Sequence, residues 1–248
     1  MNPDLVEFRS GVIAPVECLK EGWALIKDQY WLFFGITIVG MLLGGIIPIV
    51  LLGPMMVGIN ICLLRRQRNE PVEFGDLFKG FDLFVQGLVV AVLKMIPMFV
   101  IMVPYYIILV ALMTATMPHN GNPSMDQQRQ FMFSFFGFEM VFFLTIMIVS
   151  ILIEIIFIFA FPLVADRRMS GLDAVKLSFR ASKANLGGVV GLLLLNGLCA
   201  FVGVLCCFVG AYLFLPIAIA AHIVAYRRVF PETASPFPSP PPPPGDWA

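Results

Sequence analysis

Two residues of opposite charge, Lys94 and Glu154, interrupt long apolar stretches of this sequence. A charged side chain in the hydrocarbon of a bilayer costs about 2.5–3.5 kcal/mol or more, so each one needs a partner or water. Residue 124 is the centre of the polar segment between the two stretches. Lys94 lies 30 residues before it and Glu154 lies 30 residues after it. In an antiparallel hairpin they therefore reach similar depth. The pair is interpreted as a proton- or substrate-linked pair, as a structural ion pair, or as two side chains that extend to the membrane surface.

Asn60 and His222 are two further polar side chains within apolar stretches. A single histidine without a nearby carboxylate makes neither a metal site nor a catalytic triad, so each of these two residues is predicted to form a polar cap between helices. The sequence contains no glycine-rich phosphate loop, no His-Glu-x-x-His pair and no Ser or Cys nucleophile elbow. We therefore predict no catalytic residues, no metal, no cofactor and no enzymatic activity.

The composition indicates what solvent surrounds these residues. Hydrophobic residues make up 59% of the chain and charged residues 13%, whereas soluble domains have about 45–50% and about 25%. A chain of this length cannot hide so much apolar surface from water, so its partner is the lipid bilayer. The net charge is zero, which gives no sign of nucleic-acid binding. The five cysteines are interpreted as packing residues.

Apolar runs predict an all-α, polytopic membrane helical bundle of six transmembrane helices in three hairpins. A crossing needs about 20 residues, and the first two spans are near or below that length, so whether they cross fully is left open. Amphipathic helices at the membrane surface are predicted before each hairpin, at 16–28, 74–84 and 172–185. Residues 1–29 precede the membrane domain 30–228 and residues 229–248 follow it. The predicted spans are 30–45, 47–64, 84–116, 131–165, 186–207 and 210–227.

The basic residues set the orientation. All of the 16 Lys and Arg except Lys94 and Arg129 lie at 9–27, 65–79, 167–183 and 227–228. Lys and Arg accumulate in cytoplasmic loops, so both termini are predicted to be cytoplasmic and the segment 118–130 to be outside.

The first and last hairpins look duplicated. Lys27 matches Lys183 at an offset of 156 residues. At an offset of 162 residues, Pro54 matches Pro216 and the pair Arg65-Arg66 matches 227–228. Both copies start on the cytoplasmic side, which predicts a parallel internal repeat.

The end of the chain is rich in proline. Five successive prolines impose an extended polyproline II helix without a core, so a disordered cytoplasmic tail is predicted. Such a helix can dock on a proline-reading protein domain, and the alternative is a solvated terminus without a partner. The candidate docking residues are Pro240, Pro241, Pro242, Pro243, Pro244, Gly245 and Trp247.

One set of segments is spread along the chain, at 74–81, 161–167, 171–181, Asn185, Pro216 and 225–228. Together they resemble a broad group of bacterial integral membrane proteins related to the membrane domain of some glycerophosphoryl diester phosphodiesterases. The resemblance implies a six-helix protein of the bacterial inner membrane, and it carries over no catalytic residues. The long region 97–160 and the proline tail depart from that pattern.

Two functions remain at this point. The favoured one is a non-enzymatic membrane scaffold, for example in envelope or lipid homeostasis, which engages a partner through the proline tail. The alternative is a small-molecule or lipid transporter, supported by the repeat and by the Lys94–Glu154 pair. A polar cavity that reaches the middle of the bundle would favour transport. The substrate, the partner and the oligomeric state are not predicted.

Overall fold

The computed structural model describes residues 6–116, 124–206 and 208–232, and within these ranges it is helical without strands. Six helical stretches are long and apolar enough to cross a membrane. The all-α membrane bundle is therefore confirmed, and the fold defines a multi-pass membrane protein. Two 3-10 helices, Lys27–Gln29 and Phe74–Leu83, join nine α-helices of these ranges: α1 Pro15–Ile26, α2 Tyr30–Ile46, α3 Pro48–Gln67, α4 Phe84–Thr116, α5 Met125–Phe157, α6 Ala160–Arg167, α7 Gly171–Ala184, α8 Leu186–Leu205 and α9 Val209–Val229.

The middle hairpin is longer than a bilayer is thick. Helices α4 and α5 have 33 residues each, which corresponds to about 50 Å of helix against ~30 Å of hydrocarbon. Helix α5 begins at Met125, earlier than the predicted start at 131, because Ser124 and Gln127 form a capping box there. The hairpin therefore has the length to extend beyond the hydrocarbon.

A break interrupts the predicted continuous span 131–165. Helix α5 ends at Phe157 and α6 starts at Ala160. The break occurs because Pro162 has no backbone N–H to donate and its ring clashes with the backbone carbonyl four residues earlier. Ser178 of α7 replaces the lost bonds. Its hydroxyl donates to the Ile156 carbonyl at 2.6 Å and accepts from the Phe159 amide at 3.2 Å.

A short segment before each hairpin packs on the second helix of another hairpin. Gly22 of α1 lies against α9, where a Cβ atom would be 2.7 Å from the Ala221 amide nitrogen. Gly80 of the 3-10 helix lies against Gly58 of α3 in the same way. In α7 the matching contact is the hydrogen bonding of Ser178 to the end of α5. The segments thus pack within the bundle, and do not only lie on its surface.

These contacts reveal a third copy of the repeat. Each second helix ends in an arginine pair, Arg65-Arg66, Arg167-Arg168 or Arg227-Arg228, and each receives one short segment. The 3-10 helix Phe74–Leu83 packs on α3 of the first hairpin, and α7 packs on α5 and α6 of the second. Helix α1, which precedes the first hairpin, packs on α9 of the third. The sequence comparison found only the outer two copies, because Ile156 stands where Pro54 and Pro216 mark the other two.

Candidate functional site

The structure places the two intramembrane charges in direct contact. Lys94 Nζ of α4 lies 2.5 Å from Glu154 Oε1 of α5. Lys94 is ten residues beyond Phe84, the start of α4, so it lies about 15 Å along the helix and within the long apolar stretch Phe74–Ala115. The contact neutralises both charges where neither could be left alone at low cost.

A second polar pair lies beside the first. His222 Nε2 of α9 is 3.1 Å from Asn196 Nδ2 of α8, and His222 lies close enough to Lys94 and Glu154 to interact electrostatically with both. Side chains of four helices, from the second and third hairpins, form these two pairs. We call Lys94, Glu154, Asn196 and His222 the polar cluster.

The polar cluster has unused hydrogen-bonding capacity. Asn196 Oδ1 is buried and has no partner among the described residues. The amide nitrogen of Asn196 can only donate, so Nε2 of a neutral His222 accepts. If His222 carries a proton at Nε2, that N–H can donate a hydrogen bond to Oδ1 of a rotated Asn196 amide. The pair can thus respond to the protonation of the histidine.

A cavity of about 220 Å³ opens beside the ion pair. Lys94, Ser150 and Glu154 give it one polar side, and the rest of its lining is apolar. A site with a charged point on an apolar wall suits an amphiphile, which has a polar head and a hydrocarbon body. The apolar lining residues come from α3, α4 and α5 and are Leu52, Met95, Met98 and Ile153.

The hydrogen bond that the structure gives Asn60 stays within its own helix. The Asn60 Nδ2 donates at 2.6 Å to the Met56 carbonyl one turn earlier in the same helix. This bond gives the amide nitrogen a partner without a second helix. His222 instead pairs with Asn196. Sequence reasoning missed Asn196, although it is the only amide side chain within Leu186–Leu205 and that signal was available.

An outer polar contact joins the same two helices. Tyr105 of α4 donates a hydrogen bond of 2.6 Å to Glu139 of α5, and its ring stacks on Phe138 and Phe142. Glu139 lies in α5, between the start of that helix at Met125 and Glu154. The structure shows that it has a protein partner, and this contact provides a natural comparison for Lys94–Glu154.

The remaining predicted site residues lie elsewhere. The candidate docking residues 240–245 and Trp247 fall outside the described residues, as do residues 117–123 of the predicted outer loop. Within the described ranges no group of three or more His, Cys, Asp and Glu side chains could hold a metal ion.

Comparison with known proteins gives short matches only. A stretch of 71 residues, 29% of the chain, is 37% identical to uncharacterized proteins of Mycobacterium tuberculosis and Mycobacterium bovis. That stretch covers 22% of those proteins, so the chain matches about a fifth of their length. No protein-family model matches the chain, and no solved structure is significantly similar to it.

Proposed function

We propose that the chain is a membrane transporter for an anionic amphiphile, such as a lipid with a charged head group. One observation carries the proposal: the Lys94–Glu154 pair lies on the wall of an apolar cavity within the spans. A transporter needs a polar site at membrane depth, whereas a scaffold needs only a stable bundle. The scaffold alternative relied mainly on the proline tail, which lies outside the described residues, and it stays a prediction.

The arrangement suggests how such a site would work. An anionic head group entering the cavity competes with Glu154 for the Lys94 ammonium, while its hydrocarbon contacts Met95 and Met98. The displaced Glu154 carboxylate then takes up a proton from water, because a lone carboxylate in hydrocarbon is costly. The head group and one proton would thus occupy the site together.

Lipid movement in reconstituted vesicles tests the function. Vesicles with the purified chain would carry either a fluorescent phosphatidylglycerol or a fluorescent phosphatidylcholine, and a membrane-impermeant quencher would report the fraction in the outer leaflet. We expect the quenched fraction of the anionic lipid to rise above that of protein-free vesicles, with a smaller rise for the zwitterionic lipid. Equal quenching in vesicles with and without protein, for both lipids, would contradict the proposal.

A further inference from the structure

The second helices of all three hairpins meet at the basic end of the bundle. Arg68 follows the end of α3, Asp166 lies in the last turn of α6, and Arg227 lies in the last turn of α9. Asp166 accepts hydrogen bonds of 2.9 Å from both terminal nitrogens of Arg227 and one of 2.8 Å from the Tyr226 hydroxyl. It also pairs with Arg68. A buried carboxylate therefore holds two guanidinium groups in fixed positions.

These residues surround a cavity of about 260 Å³, separate from the one beside Lys94. Its lining contains three arginines and two carboxylates, so one positive charge remains in excess. We call this cavity the arginine pocket. Its lining residues are Arg68, Asp166, Arg167, Arg227, Pro231 and Glu232.

Arg227 directs its terminal nitrogens to Asp166 and Glu232. Its side chain is 10% exposed, and its Nε is buried without a hydrogen-bond partner among the described residues. A planar guanidinium group matches phosphate geometry with paired donors, and two converging guanidinium groups are a frequent phosphate site. Cations are also favoured at helix C-termini, which accounts for the arginines themselves but not for the carboxylate that closes the pocket.

Glu232 supplies that carboxylate from the chain that follows α9. Its Oε1 lies 3.0 Å from Arg68 Nε and 3.2 Å from a terminal nitrogen of Arg227. Unlike Asp166, which is 6% exposed, Glu232 is 57% exposed. An exposed carboxylate in an ion pair contributes little net stability, so a stronger anion can displace it.

We infer that the arginine pocket binds a phosphate group and that Glu232 occupies the same donors when the phosphate is absent. The phosphate belongs either to a lipid head group at the membrane surface or to a free phosphate compound. Glu232 follows the end of α9, so phosphate binding displaces the carboxylate that closes the pocket. The inference does not depend on the transport proposal, because Lys94 and Glu154 do not line this pocket.

Binding of two probes to the full chain in neutral detergent tests the inference. One probe is inorganic phosphate and the other is phosphatidic acid in mixed micelles, each measured by titration calorimetry. Glu232→Gln removes the competing carboxylate, and we expect it to tighten binding about two- to fivefold. Arg68→Gln should weaken binding instead. Glu21→Gln is the matched control, since Glu21 is 56% exposed and pairs with Arg228 outside the pocket, and it should leave the affinity unchanged.

Each outcome decides the question. Binding of both probes, with opposite effects of Glu232→Gln and Arg68→Gln, supports the pocket for any phosphate group. Binding of phosphatidic acid alone assigns it to a lipid head group, and binding of inorganic phosphate alone assigns it to soluble phosphates. The inference is overturned if neither probe binds, or if Glu21→Gln and Glu232→Gln change the affinity equally, since that would reflect only overall charge.

Discussion

The hydroxyl of Ser178 donates a hydrogen bond of 2.6 Å to the backbone carbonyl of Ile156. This contact joins the end of α5 to α7, the helix before the third hairpin, and the two residues lie 22 positions apart in the chain. It satisfies a carbonyl that the break at residues 158–159 would otherwise leave unpaired inside the bundle. In the other two copies of the repeat a glycine, Gly22 or Gly80, makes the close contact instead.

Ser178→Ala should destabilise the bundle, because it leaves the Ile156 carbonyl and the Phe159 amide without their side-chain partner. The expected loss is about 1–3 kcal/mol of unfolding free energy. Ser182, one turn later in α7, is the matched control, since it is equally buried but its hydroxyl has no partner among the described residues. Thermal unfolding in detergent should show a lower midpoint for Ser178→Ala and no loss for Ser182→Ala. Equal midpoints would contradict the role given to Ser178.

Gly80→Ala should destabilise the contact between the 3-10 helix and α3, because the new Cβ atom would overlap the Pro54 carbonyl oxygen and the Gly58 backbone. Such overpacking costs about 1–3 kcal/mol. Gly75→Ala in the same 3-10 helix is the control, since a Cβ atom there meets nothing within 4 Å. Unfolding midpoints of the two variants measure the difference. If they fall together, backbone freedom and not close packing is the reason for glycine at both positions.

Much of the architecture could be predicted from sequence because lipid imposes simple rules. Apolar run length gives the spans, and symmetry about residue 124 places Lys94 and Glu154 at the same depth. Sequence does not determine which way a side chain turns around its helix axis, so the partners of Asn60 and His222 could not be derived. The α5–α6 break had a visible signal in Pro162, but proline is common in unbroken membrane helices. The middle copy of the repeat was hidden because Ile156 stands where Pro54 and Pro216 mark the outer two.

Lys94 and Glu154 should behave as a coupled pair in stability measurements. Lys94→Met or Glu154→Gln alone leaves one charge in the spans without its partner, at a cost of about 2.5–3.5 kcal/mol. The double variant removes both charges and should be more stable than either single variant. A double-mutant cycle of unfolding midpoints measures this coupling. Losses that add in the double variant would show that the two residues act independently.

The orientation can be tested by labelling. In a variant without the five native cysteines, a cysteine at position 126 should react with a membrane-impermeant maleimide added to intact cells. A cysteine at position 70, next to the arginines that follow α3, should react only after the membrane is opened. The reason is the accumulation of basic residues on the cytoplasmic side. Labelling of position 70 in intact cells would reverse the predicted topology.

Lipid movement by variants of the two intramembrane contacts tests the central claim most directly. Lys94→Met/Glu154→Gln removes the inner pair, whereas Tyr105→Phe/Glu139→Gln removes the outer contact of the same two helices. Both would be reconstituted at equal protein density, and the rate of fluorescent phosphatidylglycerol movement compared with that of the unaltered chain. We predict that the inner double variant falls to the protein-free rate and that the outer one keeps most of its activity. Equal activity of the inner double variant and the unaltered chain would contradict the claim that this ion pair is the transport site.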